Sequence, residues 1–282
     1  MTVEVGIVIP GGKAGVLLLH DLGAPAAELR PLANHFNEAG FTVALPQIAA
    51  GAGAGGVRMT GSALIAEAEA SLAHLKERCT DVLIVGVSYG GMLGLEIARQ
   101  NAAAVRAVVL VEPRAWLPGM AFPFRNRLSS RVRQAWLVDL AVRVKAMLPS
   151  GGISNSTPIM GLAAANARSA AVATTMYGAG QILDCLHATL PTIRQPVLIA
   201  RRQDAPKNVL DTSILLQRRL GGRVETAIVD AGRAVEGGEF RFQADLADRG
   251  GRFLGAVMDE VTTRRDNEQR RQRVSAGRSN AA

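Results

Sequence analysis

The sequence predicts an α/β fold, a mostly parallel central sheet with helices on both faces, and three observations predict it. Short β-branched or leucine-rich runs alternate with longer amphipathic stretches along most of the chain, which is the pattern of strand-helix-strand units. Several of these runs carry no polar alternation, as strands buried on both faces require. The 282 residues are 48% hydrophobic, enough for one large core, and no apolar run approaches the roughly 18 residues of a membrane span.

Strands are predicted over 3–9 (VEVGIVI), 15–20 (GVLLLH), 41–45 (FTVAL), 82–86 (VLIVG), 105–111 (VRAVVLV), 196–201 (PVLIAR) and 223–229 (RVETAIV). Helical periodicity fills the intervals. Leu29, Leu32 and Phe36 share a face over 25–39, and Leu64, Leu72 and Leu75 share one over 61–78. Further helices are predicted over 89–101, 209–220 and 241–259. From 115 to about 190 the rhythm breaks into a basic amphipathic helix (128–148), a turn (PSGGISNSTP) and an alanine-rich helical stretch. An insertion between two strands at this place is a lid or cap by position. Residues 1–262 thus read as one domain with a cap at about 115–190, and 263–282 as a basic tail that lacks apolar periodicity and is expected to be disordered. There is no internal repeat.

The formal net charge is +8, but its distribution matters more than its total. From Val261 to Ala282 six arginines stand against Asp266 and Glu268, a net of +4 and half of the whole. Aromatic residues make up 4% of the chain, too few to interleave with these cations as a specific nucleic-acid site requires. Solvation is the simpler account of the tail and of the cap helix with Arg131, Arg133, Arg143 and Lys145; contact with an anionic surface is its alternative. The N-terminus, MTVEVGIVIPGG, has no basic region before its short apolar stretch, so a cytoplasmic protein is expected. Cys79 and Cys185 lie 106 positions apart without CxxC spacing, which suggests neither a disulfide framework nor a metal cluster. The GAGAGG run at 51–56 lacks the lysine and Ser/Thr of a phosphate loop. No cofactor is implied, and the sequence does not address oligomeric state.

One motif carries chemistry. Gly86-Val87-Ser88-Tyr89-Gly90 is a GxSxG placed after an apolar strand and before a helix. A tight turn there admits only small neighbours, hence Gly86 and Gly90, and drives the serine hydroxyl into the crevice. The N–H of Tyr89, at a helix N-terminus, is a candidate donor to an oxyanion.

With this stretch and with His20-Asp21-Leu22-Gly23 after an earlier strand, the chain resembles the α/β-hydrolase superfamily, in particular cytoplasmic bacterial carboxylesterases and monoacylglycerol-lipase-like serine hydrolases. The resemblance covers about 15–255. It implies an α/β-hydrolase fold, Ser88 as nucleophile, and the backbone N–H groups of Leu22 and Tyr89 as oxyanion donors. It also implies that His20 is structural. Asp21 replaces a usual glycine and sets a carboxylate near the oxyanion region, unfavourable unless its side chain points away. Triad members of this fold follow the order Ser, acid, His. RRQDAPKN after the sixth strand puts Asp204 at the acid position, but VDAGRAVEGGEF after the last strand puts Arg233 where the histidine belongs.

Arginine stays protonated and has no lone pair to take the serine proton. Among other side chains, His35 and His74 fall on helix surfaces; His187 and Lys207 remain as displaced bases. An Asp204–Arg233 salt bridge is expected, because a partly buried carboxylate needs a partner. Two functions stay open: a carboxylic-ester (acyl) hydrolase with weak or specialised activity through Ser88, or a catalytically impaired protein of this fold that binds an apolar or acyl ligand or a protein partner.

Overall fold

The computed structural model describes residues 6–21, 24–49, 59–115, 175, 177–229, 245, 246, 248–260 and 263. The expected cap beyond residue 115, the 51–56 glycine run, Leu22, Arg233 and the tail after 263 lie outside them. Among the described residues the strands are β1 (Ile7–Ile9), β2 (Ala14–Leu19), β3 (Thr42–Leu45), β4 (Asp81–Val87), β5 (Val105–Val111), β6 (Val197–Arg201) and β7 (Val224–Ile228). They form one sheet in the order β1-β3-β2-β4-β5-β6-β7. β1 runs antiparallel to β3, and every other pairing is parallel. The helices are α1 (Arg30–Glu38), α2 (Gly61–Lys76), α3 (Tyr89–Gln100), α4 (177–189), α5 (Lys207–Arg219) and α6 (248–260).

Successive strand residues point to opposite faces, and this sheet is covered on both. Leu17, Leu19, Ile84, Leu110 and Ile199 join one core with residues of α2 to α5, such as Leu72, Leu93, Leu183 and Leu216. Val16, Leu18, Leu83, Val85 and Val109 join the other, with Leu32 and Phe36 of α1 and Phe253, Leu254 and Val257 of α6. Double coverage explains why these strands read as unbroken apolar runs. All seven predicted strands are present. β1 is shorter than predicted, residues 3–5 of that run lying outside the described part.

The stretch predicted as one helix over 25–39 is a 3-10 turn (Ala26–Leu29) followed by α1. Pro31 has no N–H to give to the Ala27 carbonyl, so an α-helical ladder cannot run through it, while the first turn of a new helix accommodates it. α2 opens on Thr60, whose Oγ1 accepts the Ala63 N–H at 3.2 Å. The Gly61 N–H donates to Gln181 Oε1 at 2.7 Å, tying α2 to α4. No helix among the described residues is long and apolar enough to cross a membrane.

Among the described residues the buried carboxylates Glu96 and Asp81 have partners, and that of Asp184 has none. Glu96 accepts from Arg99 and Gln100, each at 2.6 Å, and Asp81 accepts from Arg106 at 2.5 Å. Asp184, on α4, is 8% exposed, and neither of its oxygens has a hydrogen-bond partner among the described residues. Burial pushes its pKa from 3.8 up to about 6. Between those values the folded chain holds a proton that the unfolded chain releases, so this group costs stability as pH rises through that window. Asp184→Asn is therefore expected to stabilise the protein at pH 8 by roughly 1–3 kcal/mol, with the gain disappearing near pH 4; thermal unfolding at both pH values checks it.

Candidate active site

Ser88 stands between β4 and α3, at the carboxyl end of the sheet where crevices of α/β folds form. Its backbone has φ 53° and ψ −116°, a left-handed conformation that costs a non-glycine residue on the order of 1–3 kcal/mol. The turn is held by hydrogen bonds from Ser88 N–H to the Val111 carbonyl at 2.8 Å and from Gly91 N–H to the Ser88 carbonyl at 3.2 Å. The two motif glycines are required by space. A β-carbon on Gly86 would collide with the Gly90 carbonyl and the Gly91 backbone, and one on Gly90 with the carbonyls of Leu19 and His20. Ser88 is 4% exposed, and its Oγ makes no hydrogen bond among the described residues.

His20 is 1% exposed and uses both ring nitrogens. Nε2 accepts the Ile48 N–H at 2.9 Å, which leaves the proton on Nδ1 to be donated to the Asp21 carbonyl at 2.9 Å. Burial lowers its pKa, outweighing the Asp21 backbone contact and the charges of Asp21 and Glu28. It is a neutral brace between the loops after β2 and β3. Asp21, held by this brace and by the Ala24 N–H on its carbonyl at 2.9 Å, does not point away. Its Oδ1 accepts the Tyr89 N–H at 3.3 Å, so this candidate oxyanion donor is engaged by an internal carboxylate. Burial also pushes the Tyr89 phenol pKa up; the Arg114 charge opposes this and the Asp21 charge adds to it.

The remaining candidates are spread out. Asp204 lies in the turn after β6, 81% exposed, with its carboxylate 3.7 Å from Arg202 Nε. The expected Asp204–Arg233 bridge was argued from a partly buried carboxylate, and that premise does not hold. Lys207 Nζ pairs with Asp211 at 2.8 Å on the surface of α5. Burial and then the Arg219 charge lower the pKa of His187, against a hydrogen bond with the Ala115 backbone that raises it; Arg219 also donates to the His187 carbonyl at 3.2 Å. None of these side chains bonds Ser88 Oγ. His35 and His74 lie near Glu38 and Glu77 on their helices.

The mostly parallel sheet covered by helices on both faces agrees with what comparison with known proteins finds. A model described as the Alpha/beta hydrolase family covers residues 16–249. The chain belongs to that family. It is 36% identical over 95 residues to the thermostable monoacylglycerol lipase of Bacillus sp. (strain H-257), a match covering 32% of this chain and 37% of that protein. The chain thus spans little more than a third of that curated relative. Among solved structures it is similar to a monoacylglycerol lipase of Paleococcus ferrophilus (TM-score 0.55, 15% identity, 87% of this chain and 97% of that one). It is also similar to an alpha/beta hydrolase of Sphaerobacter thermophilus (TM-score 0.54, 16% identity, 88% and 95%). At these identities the structural likeness is one of fold.

Within this family fold two residues not singled out by sequence stand at the same sheet edge. Glu112 directly follows β5, beside the strand that carries Ser88, and has φ 44°. Its Oε1 accepts from Arg202 Nε at 2.8 Å, so Arg202 bridges Glu112 and Asp204. The available signal was positional: each is the first charged residue past an apolar strand that the sheet brings next to β4 or β5. A separate cleft of about 320 Å³, lined by Arg106, Arg194, Arg223 and Glu260, opens at the opposite, amino edge of the sheet.

Two substitutions test this geometry. Ser88→Gly should raise stability by about 1 kcal/mol in denaturant unfolding, because glycine accepts the left-handed backbone. His20→Ala should cost roughly 1–3 kcal/mol by stranding the Ile48 N–H. Because the pKa of His20 is lowered on folding, the wild type loses stability as pH falls below about 6.5, and the variant should lose less over that interval.

Proposed function

We propose that this protein is a carboxylic-ester (acyl) hydrolase of weak or specialised activity, acting through Ser88. The observation that carries the reading is the strained, buried serine at the strand-to-helix junction, since a turn without chemical purpose gains nothing from such a backbone. Membership of the family, with a monoacylglycerol lipase among its relatives, supports small acyl esters as the substrate class. A cytoplasmic setting and solvated basic segments belong to the same proposal.

In this mechanism Ser88 Oγ adds to the ester carbonyl carbon, and the carbonyl π pair moves to oxygen. That oxygen is stabilised at the Tyr89 N–H once Asp21 has yielded the donor. Collapse expels the alcohol and leaves acyl-Ser88, which water hydrolyses to the acid. The serine proton is the difficulty. No described histidine bonds Oγ, and the sequence puts Arg233 at the family position of the base, so the proton passes by way of a water entering with the substrate to the departing alkoxide, which leaves as the alcohol. Loss of the histidine costs on the order of 10⁶ in kcat, with about 10³–10⁴ over water surviving through binding and oxyanion stabilisation.

A second reading has its own observation. With Asp21 on the Tyr89 N–H, the crevice disfavours a developing oxyanion, which suits a non-catalytic protein that holds an apolar or acyl ligand or a protein partner. The two separate in one experiment. Treatment with a fluorophosphonate probe should give an adduct confined to Ser88 by mass spectrometry and absent from Ser88→Ala. Short-chain aryl esters should turn over at least ~10³-fold more slowly than with a complete triad, yet above the Ser88→Ala background. Folded protein that neither labels nor exceeds that background would sink the hydrolase reading and favour the binding one.

A further inference from the structure

We propose that Arg114 is a substrate-recognition residue of this crevice, and that the ester the site takes carries a carboxylate, as in a half-ester of a dicarboxylic acid. The inference rests on the reading of Ser88 as nucleophile. Its starting point is a guanidinium without an acceptor. Arg114 is half-buried and its Nε is sealed from solvent; neither that nitrogen nor the two terminal ones make a hydrogen bond or ion pair among the described residues.

The other half-buried arginines show how this chain treats such a group. Arg99 holds Glu96, Arg106 holds Asp81, Arg202 holds Glu112 and Arg249 holds Asp245, at 2.6, 2.5, 2.8 and 2.9 Å. Arg201 gives Nη1 to the Arg202 carbonyl at 3.3 Å. Arg114 carries the cost of partial burial with no acceptor to offset it, since a guanidinium drawn from water loses hydration that only an acceptor restores.

Its place is the edge of the sheet that carries the serine. β5 lies beside β4, and the carbonyl of its last residue, Val111, accepts the Ser88 N–H at 2.8 Å. The segment that follows is fixed on both sides of Arg114, by the Glu112 N–H on the Ala200 carbonyl at 2.9 Å and by the Ala115 N–H on Thr212 Oγ1 at 3.0 Å. The Arg114 charge reaches the phenol of Tyr89, the residue after the nucleophile. Asp21 acts on the same phenol but forms no ion pair with Arg114; its Oδ1 accepts the Tyr89 N–H. One guanidinium matches one negative charge, and its planar fork takes both oxygens of a carboxylate through parallel N–H donors. The contact forms alike in the bound ester and in the transition state, so it lowers KM and leaves kcat nearly unchanged. No co-reactant is added: half-ester plus water gives diacid plus alcohol.

The test uses the full-length protein at about pH 7, where a carboxylate is ionised, and two pairs of esters in which an isopropyl group replaces the carboxylate. Monoethyl succinate against ethyl isocaproate places the charge on the acyl side; butyryl glycolate against isobutyl butyrate places it on the alcohol side. After subtraction of the Ser88→Ala background, the wild type should favour the charged member of at least one pair by about 10- to 100-fold in kcat/KM, the scale of a charge-assisted hydrogen bond. The responding pair identifies the end of the ester that Arg114 reads. Arg114→Gln should erase the preference by raising KM for the charged ester, with the neutral esters unchanged. Arg114→Lys should keep part of it, and added salt should lower it in the wild type. Preference for the neutral member of both pairs, or a preference that survives Arg114→Gln, overturns the proposal and leaves the hydrolase reading intact. Should Arg114→Gln fail to fold, a preference untouched by both Arg114→Lys and salt overturns it equally. If no ester is turned over, the hydrolase reading fails, and recognition is judged by calorimetric titration of Ser88→Ala protein with succinamate and N-butyrylglycine, the amide counterparts of the two charged esters. Binding of either that Arg114→Gln weakens about tenfold or more supports recognition; binding of neither, or binding that Arg114→Gln leaves unmoved, overturns it.

Discussion

The close approach of α3 to the carboxyl ends of β2 and β4 is the constraint on which this site depends. Gly86, Gly90 and Gly91 meet backbone to backbone, and Gly90 touches the carbonyls of Leu19 and His20 with no room for a β-carbon. That contact turns β4 into α3 within a single residue, which forces Ser88 into its left-handed conformation. It also presses the first N–H groups of α3 against the loop that leaves β2. Whatever residue follows His20 must then lie against the Tyr89 N–H, so the choice of aspartate at position 21 becomes electrostatic in effect.

His20 converts proximity into orientation. A flexible loop would let Asp21 seek water, but the imidazole joins the β2 loop to the β3 loop through Ile48 and holds the Asp21 carbonyl with its own proton. A buried neutral ring suits this work because both nitrogens are satisfied in one tautomer, and protonation would break the bond from Ile48. The orientation of Asp21 is thus set by packing between the loops after β2 and β3. A family scaffold built to receive negative charge at a helix N-terminus here already contains one.

Much of this was legible in the sequence. The seven apolar runs, the helix faces marked by Leu32 and Phe36 or Leu64 and Leu72, and the GxSxG turn each have a local signature, because two-sided burial and steric exclusion act on neighbouring residues. The structural role of His20 followed from family resemblance, and its hydrogen bonds supply the reason. What the sequence left open was contact across the chain. Whether Asp21 faced the donor or solvent depended on a residue 68 positions away. The exposure of Asp204 and the bridge from Arg202 to Glu112 arise from the parallel pairing of β5 and β6, and the unpartnered carboxylate of Asp184 arises from helix packing. Pro31 was the local feature passed over, and it split a predicted helix.

The exposure of Asp204 bears on how well it could serve a base. A carboxylate that steadies an imidazolium does so strongly only when both are removed from water, since solvent weakens their attraction several-fold. At 81% exposure, and shared with Arg202, Asp204 is screened and already has a cationic neighbour. An imidazole placed nearby would gain little orientation or charge stabilisation from it. Glu112 is less exposed, at 19%, and sits one strand nearer the serine, but Arg202 holds it as well. Among the described residues both carboxylates are therefore balanced around one guanidinium, that of Arg202, which fixes carboxylates but cannot take up a proton.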